Sequence, residues 1–551
     1  MEMNNDKRIM LALALSLAVF LGYSIIADRY APKMPLQKTE KKEVEPAAAD
    51  ISEKSVTETK PSGIVKKPID KQADFKEEIV TVETPLFKAE FTSLGAGIKK
   101  WEFKKYGETM DKNSLPVDIA KNQKILSHVQ TKLSINGEEF VIPFKSSVKT
   151  VRLEKGETGA IVFSWTSAQG VTIEKTYTFK GDDYMADFSV KVLNNSKTEF
   201  RGSVESSMAR VFTDKDQYYH KGPIRSVGNK TKRQDMKTRK ESGEKESSWV
   251  GIEDKYFLSA FLPAKGSSYF WNSEVASRSE PAKYLLFWTK NVSYVSESVV
   301  TFGLPFALKP EESGAFDYKL YIGPKEYDRL ISYGLGIEEA IEFGMFAFAA
   351  KPSLVVLNFF ERFVKNYGIA IIILTILLKF AFYPLTKYGL KSMKQIQQIQ
   401  PQILSLKEKY KDDKQRMNKE VFELYKRYKV NPLSGCLPMI VQIPVFIALY
   451  EVLLVAIELR HSPFAFWLQD LSAQDPYYIT PVFMGITMFI QQKMTPTAMD
   501  PAQEKIMLIM PVVLTFLFFT FPSGLIIYWI VNNLISIAQQ YQIYREMPKT
   551  S

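Results

Sequence analysis

The sequence after position 327 is dominated by apolar stretches of the length that crosses a lipid bilayer. A hydrocarbon core of about 30 Å needs roughly 20 residues of helix, and lipid offers the backbone no hydrogen-bond partner. The stretches therefore predict membrane-spanning helices. They cover residues 354–385, 437–457, 477–492, 506–521 and 525–540.

A sixth apolar run lies near the N-terminus. It covers residues 9–27, follows Lys7 and Arg8, and ends without a small-residue cleavage site. Residues 1–28 are therefore predicted to be a retained signal anchor, with a cleaved signal peptide as the alternative. Residues 29–72 are rich in Lys, Glu, Pro, Ser and Thr, which predicts a disordered linker. Six spans place both termini on one side of the membrane.

Residues 73–330 have a different periodicity. In YMADFSVKV, at residues 184–192, apolar side chains alternate with mostly polar ones, as in a half-buried strand. Similar short strands recur without a long helical pattern, which predicts a large soluble β-sandwich. The segment contains no cysteine, and Cys436 is the only one in the chain. A disulfide framework is therefore excluded.

A basic segment separates the first two of the five later apolar stretches. Residues 386–431 contain 12 Lys and Arg against 5 Asp and Glu. Their apolar residues recur every three or four positions, which predicts two amphipathic helices in an antiparallel hairpin over residues 387–430. The positive charge places this hairpin and both termini in the cytoplasm, and the β domain on the other face. Candidate partner-binding residues near its tip are Lys407, Lys409, Asp412, Asp413 and Arg416.

The net charge of +11 is not accompanied by a nucleic-acid-binding signature. Zinc-ligand spacing and RNA-binding motifs are absent from the sequence, so no specific nucleic acid is predicted as a partner. No nucleotide-binding P-loop pattern occurs either. The sequence therefore predicts no cofactor, no metal and no catalytic residues.

Lys379 is a cation inside an apolar stretch, AIIILTILLKFAFYPLT. If residues 368–385 form one helix, Lys379 lies about 9 Å from its end, where a cation costs a few kcal/mol or more without water or a partner. Thr375 is one turn earlier on the same helical face. The lysine therefore predicts a hydrated cavity.

Polar residues also recur in the other apolar stretches. Each one alone is usually a hydrogen-bonding contact between helices, but together with a buried lysine they indicate a wet groove. We predict that Gln442 and Tyr528 face Lys379 in that groove. The remaining polar positions are Gln491, Gln492, Asn532, Asn533 and Ser536.

The segment GIEEAIEFGMFAFAA precedes the membrane half. Glutamates oppose apolar residues at helical spacing, which predicts an amphipathic helix over residues 337–350 lying at the membrane interface. A packed helix of the soluble domain is the alternative.

The membrane half resembles a known family in several long motifs. They are FYPLTKYGLKSMKQIQQIQPQI, DDKQR, VNPLSGCLPMIVQIPVFIALY, FAFWLQDLSAQDPYYITPVFMGITMFIQQKM and KIMLIMPVVLTFLFFTFPSGLIIYWIVNN. These residues resemble the YidC membrane-protein insertases of the Oxa/Alb superfamily. The anchor and the large soluble domain ending LYIGPK resemble the long, Gram-negative form.

The resemblance implies a fold class and a location. The chain is expected to be a polytopic α-helical protein of the bacterial inner membrane with six transmembrane helices. Its five-helix insertase core would cover residues 354–541, followed by a short cytoplasmic tail at 542–551. The soluble domain at 73–330 would be a large periplasmic all-β supersandwich similar to sugar mutarotases.

The resemblance also implies a site and partners. A hydrophilic groove, open to cytoplasm and lipid, would carry one positive charge at Lys379, where many relatives have arginine. Thr375 matches the polar position one turn earlier, and Tyr528 and Trp529 match the groove wall of the last helix, which also carries Asn532. The expected partners are nascent membrane proteins, the lipid bilayer and the Sec translocon (SecYEG, SecDF), with weak contact to the ribosome and the signal recognition pathway.

Two other functions remain open at this point. A secondary transporter of an anionic solute would also use an intramembrane cation, but no internal repeat with paired broken helices is visible in the sequence. A mutarotase-like enzyme would need a histidine and carboxylate pair. The soluble domain has only His128 and His220, which lie in no recognisable motif and are interpreted as isolated residues. Sugar binding without catalysis is a further alternative.

Overall fold

The computed structural model describes most of the chain after residue 74. The described residues are 75–111, 113–121, 127–136, 138–213, 219–228, 230–235, 238–280, 293–431, 437–495 and 501–546. The predicted N-terminal anchor, the linker at 29–72 and Cys436 lie outside them.

The described residues from 75 to 326 form strands and loops, as the alternating pattern predicts. The strands are β1 (Ile79–Glu83), β2 (Phe87–Thr92), β3 (Ile98–Gly107), β4 (Pro116–Asp118), β5 (Gln130–Ile135), β6 (Glu138–Val141), β7 (Lys145–Ser146), β8 (Thr150–Arg152), β9 (Thr158–Thr166), β10 (Val171–Lys180), β11 (Met185–Asn194), β12 (Phe200–Thr213), β13 (Gly222–Val227), β14 (Lys230–Arg233), β15 (Lys240–Glu244), β16 (Ser247–Glu253), β17 (Phe257–Pro263), β18 (Phe270–Glu280), β19 (Ser293–Leu308) and β20 (Ser313–Pro324). The predicted β-rich domain is therefore confirmed.

These strands form three sheets. The orders are β4-β3-β2-β1-β8, then β14-β13-β16-β17-β20-β11-β10-β9-β7, and β15-β18-β19-β12-β5-β6. The β1–β8 pair is parallel, whereas β10 and β11 form an antiparallel hairpin in which Tyr177 faces Phe188. Their turn needs Gly181, because a Cβ there would lie 1.8 Å from the carbonyl oxygen of Glu154. One continuous apolar core, rich in aromatic rings such as Trp101 and Trp249, lies between the sheets.

The rest of the described chain is helical. The helices are α1 (Tyr327–Ser332), α2 (Ala347–Val364), α3 (Tyr367–Ala381), α4 (Tyr383–Lys409), α5 (Lys414–Arg427), α6 (Leu437–Val455), α7 (Ile479–Met494), α8 (Pro501–Leu517) and α9 (Ser523–Glu546), with 3₁₀ turns at Ile337–Ala340, Ile457–Leu459 and Phe518–Thr520. The last four helices, α6 to α9, coincide with the last four predicted apolar stretches, and most of their ends agree within a few residues.

The prediction of one amphipathic helix over residues 337–350 is wrong. The chain makes a short 3₁₀ turn, becomes extended at Ile341, and starts α2 only at Ala347. Gly336 and Gly344 have φ of 73° and 65°, the left-handed region that interrupts a right-handed helix. The amphipathic helix is α2 itself, with large apolar residues exposed along one face at Phe348, Val355, Phe359 and Phe363.

The stretch at 354–385 is also not one helix. Lys365 has a left-handed φ of 53°, and Asn366 caps α3 by accepting a hydrogen bond from the backbone of Ile369. The chain breaks again at Phe382, where α3 and α4 meet at 61°. Pro384 explains the second break, because it cannot donate to the carbonyl of Phe380 four residues earlier and its ring clashes with that carbonyl, whereas proline is tolerated in the first turn of α4.

The helices can be tested for the length and apolar composition that a membrane span needs. Within the described residues, no individual helix meets both criteria, whereas the bent pair of α3 and α4 meets them together. Two shorter apolar helical stretches, Val441–Val455 and Met507–Thr520, also occur.

The predicted hairpin is present as α4 and α5. Its small core contains Ile396, Ile399, Ile403, Leu424 and Val430. The first four follow the predicted three-four spacing, and Val430 is an addition to it. Tyr428 continues the three-four spacing after Leu424 but is exposed, and its hydroxyl accepts a hydrogen bond from Gln402. Asp413 caps α5 by accepting a hydrogen bond from the backbone of Arg416.

The β domain contacts the helical half through side chains near α1. Glu458 accepts a hydrogen bond from the backbone N–H of Tyr327 at 2.7 Å, and Arg362 of α2 pairs with Asp328 at 2.7 Å. Arg460 donates to the carbonyl of Gly107 at 2.9 Å. The Arg460 bond joins β3 to the loop after α6, whereas the other two bonds join α1 to that loop and to α2.

Candidate functional site

Lys379 lies in the last turn of α3, close to a helix end. Its ammonium donates a hydrogen bond of 2.6 Å to the hydroxyl of Ser536 on α9. In the part of the chain that the structure describes, no carboxylate lies within ion-pair distance of it. The carbonyls at the C-terminal end of α3 carry partial negative charge and favour a cation there. The expectation of a lysine deep within one continuous span is therefore corrected, since α3 ends two residues later.

One face of α9 carries polar side chains at intervals of four residues. They are Tyr528, Asn532 and Ser536. The amide of Gln442 donates to the Tyr528 hydroxyl, and Ser536 donates to the backbone carbonyl of Asn532 at 2.8 Å. Two of the predicted groove residues, Gln442 and Tyr528, are thus in contact. At 1.5 Å per residue, Tyr528 lies about 12 Å along α9 from Ser536, so Lys379 belongs to a separate pair.

Asn532 lies between these two pairs. Its side-chain oxygen is buried and has no hydrogen-bond partner among the described residues. The same holds further along α9 for Gln539 Oε1, Gln540 Oε1 and the hydroxyl of Tyr544. Buried polar atoms are normally paired with protein or water. The polar face therefore continues towards the end of α9 as a line of groups that can accept an incoming partner.

Two polar residues join α9 to α7. Asn533 donates to the Thr487 hydroxyl at 3.1 Å, and the amide nitrogen of Gln540 donates to the Thr495 hydroxyl at 3.2 Å. These bonds are contacts between helices of the ordinary kind. Gln540 therefore packs against α7 through its nitrogen while its side-chain oxygen stays unpaired.

Two predicted groove residues have other neighbours. Thr375 is buried, and its hydroxyl donates to the carbonyl of Ile371 in its own helix at 2.7 Å. Trp529 packs edge-on against Phe446, with ring centres 4.8 Å apart, and against Phe518. Ser536 was only one of several polar positions in the sequence, and its four-residue spacing from Asn532 was the signal for its role.

The end of the helical half near the β domain is closed by packing. Ser523 and Gly524, at the start of α9, donate backbone hydrogen bonds to Ala473 and Leu471 in the loop before α7. A Cβ on Gly524 would lie 2.7 Å from Leu453 Cδ2 and 3.3 Å from Ile371 Cδ1. The helices α3, α6 and α9 therefore cross closely at this end.

Both histidines of the β domain have hydrogen-bond partners. His128 is a core residue, as the interpretation of isolated surface or core residues allows, whereas that interpretation is wrong for His220. His128 is buried, with Nδ1 3.0 Å from the carbonyl of Ala209 and Nε2 3.0 Å from Ser259 Oγ. Burial lowers the pKa of His128 to about 4. His220 lies 3.0 Å from Glu253.

Glu253 is the centre of a buried charge cluster. Lys325 approaches it to 2.5 Å and Arg233 to 2.7 Å. Burial alone would raise the pKa of Glu253, but Lys325, His220 and Arg233 together lower it to about 2. Lys325 and Arg233 also donate to the carbonyl of Ala340, at 3.2 and 3.0 Å. The His220 and Glu253 pair is therefore part of an ion-pair network that fixes the connector to α2.

A metal site is not apparent in the described residues, which contain no group of three or more potential ligands. The polar face of α9 with Lys379 combines a cation that lacks an acidic partner among the described residues with unpaired acceptors beside apolar helices. Groups of these two kinds can bind a polar or acidic segment.

Comparison with known proteins gives full-length matches. A family model described as 60Kd inner membrane protein matches residues 359–550, and one described as YidC periplasmic domain matches residues 79–356. Membrane protein insertase YidC of Syntrophus aciditrophicus is 40% identical, covering 98% of this chain and 100% of the relative. The same protein of Geotalea uraniireducens is 40% identical with the same coverage.

Among solved structures, an active YidC insertase crystal structure with the first transmembrane domain resolved aligns with a TM-score of 0.37 and 18% identity, covering 84% of this chain and 94% of its own. The identity to the curated relatives extends through both the β domain and the helical half. The chain belongs to the YidC family of membrane protein insertases.

Proposed function

We propose that this chain inserts membrane proteins into the bacterial inner membrane through a polar groove formed by α3, α6 and α9. The observation that carries the mechanism is the Lys379–Ser536 bond of 2.6 Å, which holds a cation without an acidic partner in the described part of the chain. The groove residues are Lys379, Thr375, Gln442, Tyr528, Trp529 and Asn532, with Ser536 added from the structure.

The energetics of insertion explain why such a groove is useful. A leucine at the centre of a bilayer helix contributes about −0.5 kcal/mol, whereas one aspartate or lysine costs about 3 kcal/mol. Ten leucines therefore offset fewer than two charges. A hydrated cation and unpaired acceptors lower the cost of moving a short polar or acidic segment across. The hydrophobic segment of the substrate then partitions into lipid without a nucleotide.

The outer surface of the helices supports the second step. Large apolar residues are exposed on α7 at Val482, Phe483 and Ile486, and on α8 at Val512 and Phe516. An apolar surface of this kind matches acyl chains and hydrophobic helices alike. A substrate helix that leaves the groove would stay in contact with this apolar surface.

The proposed topology has six spans with both termini in the cytoplasm. The spans are the anchor at 1–28 and five in the core at 354–541, with 29–72 as a linker and 542–551 as a cytoplasmic tail. The β domain at 73–330 would be periplasmic. The exposed apolar face of α2 suits an interfacial position on the periplasmic side.

The cytoplasmic hairpin at 387–430 is the proposed contact for other proteins. Its tip carries exposed charges at Lys409, Asp412, Asp413 and Arg416, and Lys409 and Arg416 flank the ring of Tyr410 at 5.3 and 5.1 Å. Lys407 lies about one helical turn before Tyr410 and is half-buried. Nascent chains, the Sec translocon (SecYEG, SecDF) and, more weakly, the ribosome and the signal recognition pathway are the proposed partners.

The transporter and sugar-binding alternatives are not supported by membership of an insertase family. The decisive experiment is reconstitution of the purified full-length chain into liposomes without other proteins. We expect a short single-span substrate with an acidic translocated segment to become protease-protected. Lack of insertion by a folded, correctly oriented chain would contradict the proposal, and uptake of a small anion without insertion would support transport instead.

A further inference from the structure

An apolar cavity of about 210 Å³ lies between α7, α9 and the loop that precedes α7. Phe464 and Leu468 line it from the loop, Phe483 from α7, and Ile527 and Ile530 from α9. The cavity is separate from the polar face that carries Lys379, because Ile527 and Ile530 are not among the residues of that face.

Polar links bound the cavity at both ends. On the loop side, Asp475 accepts hydrogen bonds from Trp467 Nε1 at 3.0 Å and from the Thr480 hydroxyl at 2.8 Å. Deeper along the helices, Asn533 donates to Thr487 at 3.1 Å. Trp467 and Thr480 therefore satisfy their polar atoms elsewhere and present carbon to the cavity. An apolar chamber of this kind excludes water and accepts apolar ligands.

The loop at the mouth holds an aromatic residue in a strained conformation. Phe466 has φ of 55°, in the left-handed region, and its side chain is 88% exposed. Such a conformation costs on the order of 1 to 3 kcal/mol for a bulky residue and persists when the surroundings impose it. Here the amide of Gln469 donates to the Phe466 carbonyl at 2.6 Å. The loop thus projects an exposed ring beside the opening.

The opening is continuous with the apolar outer surface of the helices. Phe483 forms a wall of the cavity and is also 46% exposed, next to exposed Val482 and near Ile486 on α7. A family that inserts proteins into the inner membrane works within lipid, so this surface meets acyl chains. A ligand can therefore reach the cavity sideways from the bilayer.

The position of the opening identifies the occupant. It lies beside the exposed apolar surface of α7, where the acyl chains of the bilayer are the ligands in constant contact with the protein, and the lining residues Phe483, Ile527 and Ile530 are apolar. We propose that the cavity binds one acyl chain of a membrane phospholipid, which holds the loop of residues 464–468 against α7 and α9.

Fluorescence quenching tests this with the full-length protein in phosphatidylcholine vesicles. Vesicles with brominated acyl chains should quench Trp467, and the Trp467 signal is the difference between the native chain and Trp467→Phe. Ile530→Phe fills the cavity and should reduce this quenching at least twofold. Val512→Phe adds the same ring on the exposed face of α8 and should leave it unchanged.

A milder variant protects the test against misfolding. Val531→Leu adds one methylene to the lining and should reduce the quenching of Trp467 to an intermediate level. Native mass spectrometry should show one phospholipid retained by the native chain and less by Ile530→Phe. Equal quenching in the native chain and in both filled variants, with circular dichroism showing that they are folded, would overturn the proposal. So would a native chain that retains no lipid.

Discussion

Lys379 on α3 and Ser536 on α9 form a hydrogen bond of 2.6 Å that joins two helices otherwise packed through apolar side chains. The hydroxyl of Ser536 donates its own hydrogen bond to the carbonyl of Asn532, so its lone pairs face the ammonium. The lysine is therefore held by a neutral partner. Its charge remains available to a third group.

Loss of the cation should affect acidic substrates most. Lys379→Ala and Lys379→Glu are expected to reduce insertion of a substrate with two acidic residues in its translocated segment about tenfold. This corresponds to about 1.4 kcal/mol, less than half the cost of one charge at the bilayer centre. Lys379→Arg should retain insertion, since it keeps the charge and adds donors.

Protease protection of the substrate in liposomes measures this effect. Lys191→Ala removes an exposed lysine on β11, outside the groove and the hairpin; it is the control and should insert both acidic and neutral substrates normally. Equal activity of Lys379→Ala on acidic and neutral substrates would show that the lysine only anchors the helix to headgroups.

A side chain at Gly524 should destabilise the closed end of the helices. Gly524→Val places carbon atoms where Leu453 and the carbonyl of Leu471 already lie within 3.1 Å of a Cβ. Overpacking of this kind typically costs about 1 to 3 kcal/mol. Thermal unfolding in detergent should show a lowered midpoint. Gly314→Ala, whose new Cβ would have no neighbour closer than 3.5 Å, should be close to neutral.

The local patterns in the sequence predicted local structure well. Alternation along residues 184–192 gave β11, with Phe188 and Val190 buried, and three-four spacing gave the α4–α5 core at Ile399 and Ile403. Side-chain periods of two and 3.6 residues are set by the backbone and need no knowledge of the rest of the chain.

Long-range pairings were not predictable in the same way. Ser536, rather than Thr375, is the neighbour of Lys379. Predicting this contact would require knowing how α9 is rotated about its axis relative to α3, and no local sequence pattern contains that information. His220 and Glu253 are 33 positions apart and meet only because β16 pairs with β13. The break at Phe382, in contrast, could be predicted from the sequence, because Pro384 is a helix breaker. The prediction of one continuous stretch considered apolar composition alone and therefore missed it.

The stability of the β domain should fall between pH 6.5 and pH 4 because of His128. Its pKa is about 4 in the folded chain and about 6.5 when unfolded, so the unfolded state binds more protons in this window. Stability is complete above pH 6.5 and is lost as the pH falls towards 4, by roughly 3 kcal/mol in all. Below pH 4 this contribution no longer changes.

Denaturant titration followed by tryptophan fluorescence measures this dependence. His128→Gln keeps a donor and an acceptor but cannot titrate, so its stability should change less across the same window. Glu253 contributes only at the acid end of this window, since its pKa is about 4.5 when unfolded and about 2 in the folded chain, so its own loss of stability begins near pH 4.5. An unchanged pH profile in His128→Gln would rule out the histidine as the cause.

Removal of the Glu253 carboxylate should loosen the connector to α2. Glu253→Gln leaves the buried Lys325 without its counter-charge and leaves Arg233 with only the exposed Glu342, and breaking a buried pair typically costs about 3 to 5 kcal/mol. Hydrogen exchange should accelerate around Ala340, whose carbonyl both cations share. Glu274→Gln, which breaks an exposed pair with Lys240, should change neither stability nor exchange measurably. Slow exchange at Ala340 in Glu253→Gln would show that the connector is held by other contacts.

Deletion of the hairpin tip should abolish insertion without unfolding the membrane half. The deleted residues 407–419 include the exposed charged tip, whereas the buried hairpin residues Ile399, Ile403 and Leu424 all lie outside this stretch. The base of α4 is also fixed independently, since Lys387 pairs with Glu546 at 3.4 Å and Lys394 donates to the carbonyl of Tyr544 at 3.2 Å.

The control for this deletion keeps the fold and removes charge alone. The triple variant Lys407→Gln, Lys409→Gln and Arg416→Gln leaves the hairpin core intact, and a fall in insertion would assign the function to the cations. Both proteins should remain embedded after alkaline extraction and keep their helical circular dichroism. Full insertion by the deletion variant in liposomes would place substrate reception in the groove itself, because the cation at Lys379 would then act without help from the hairpin.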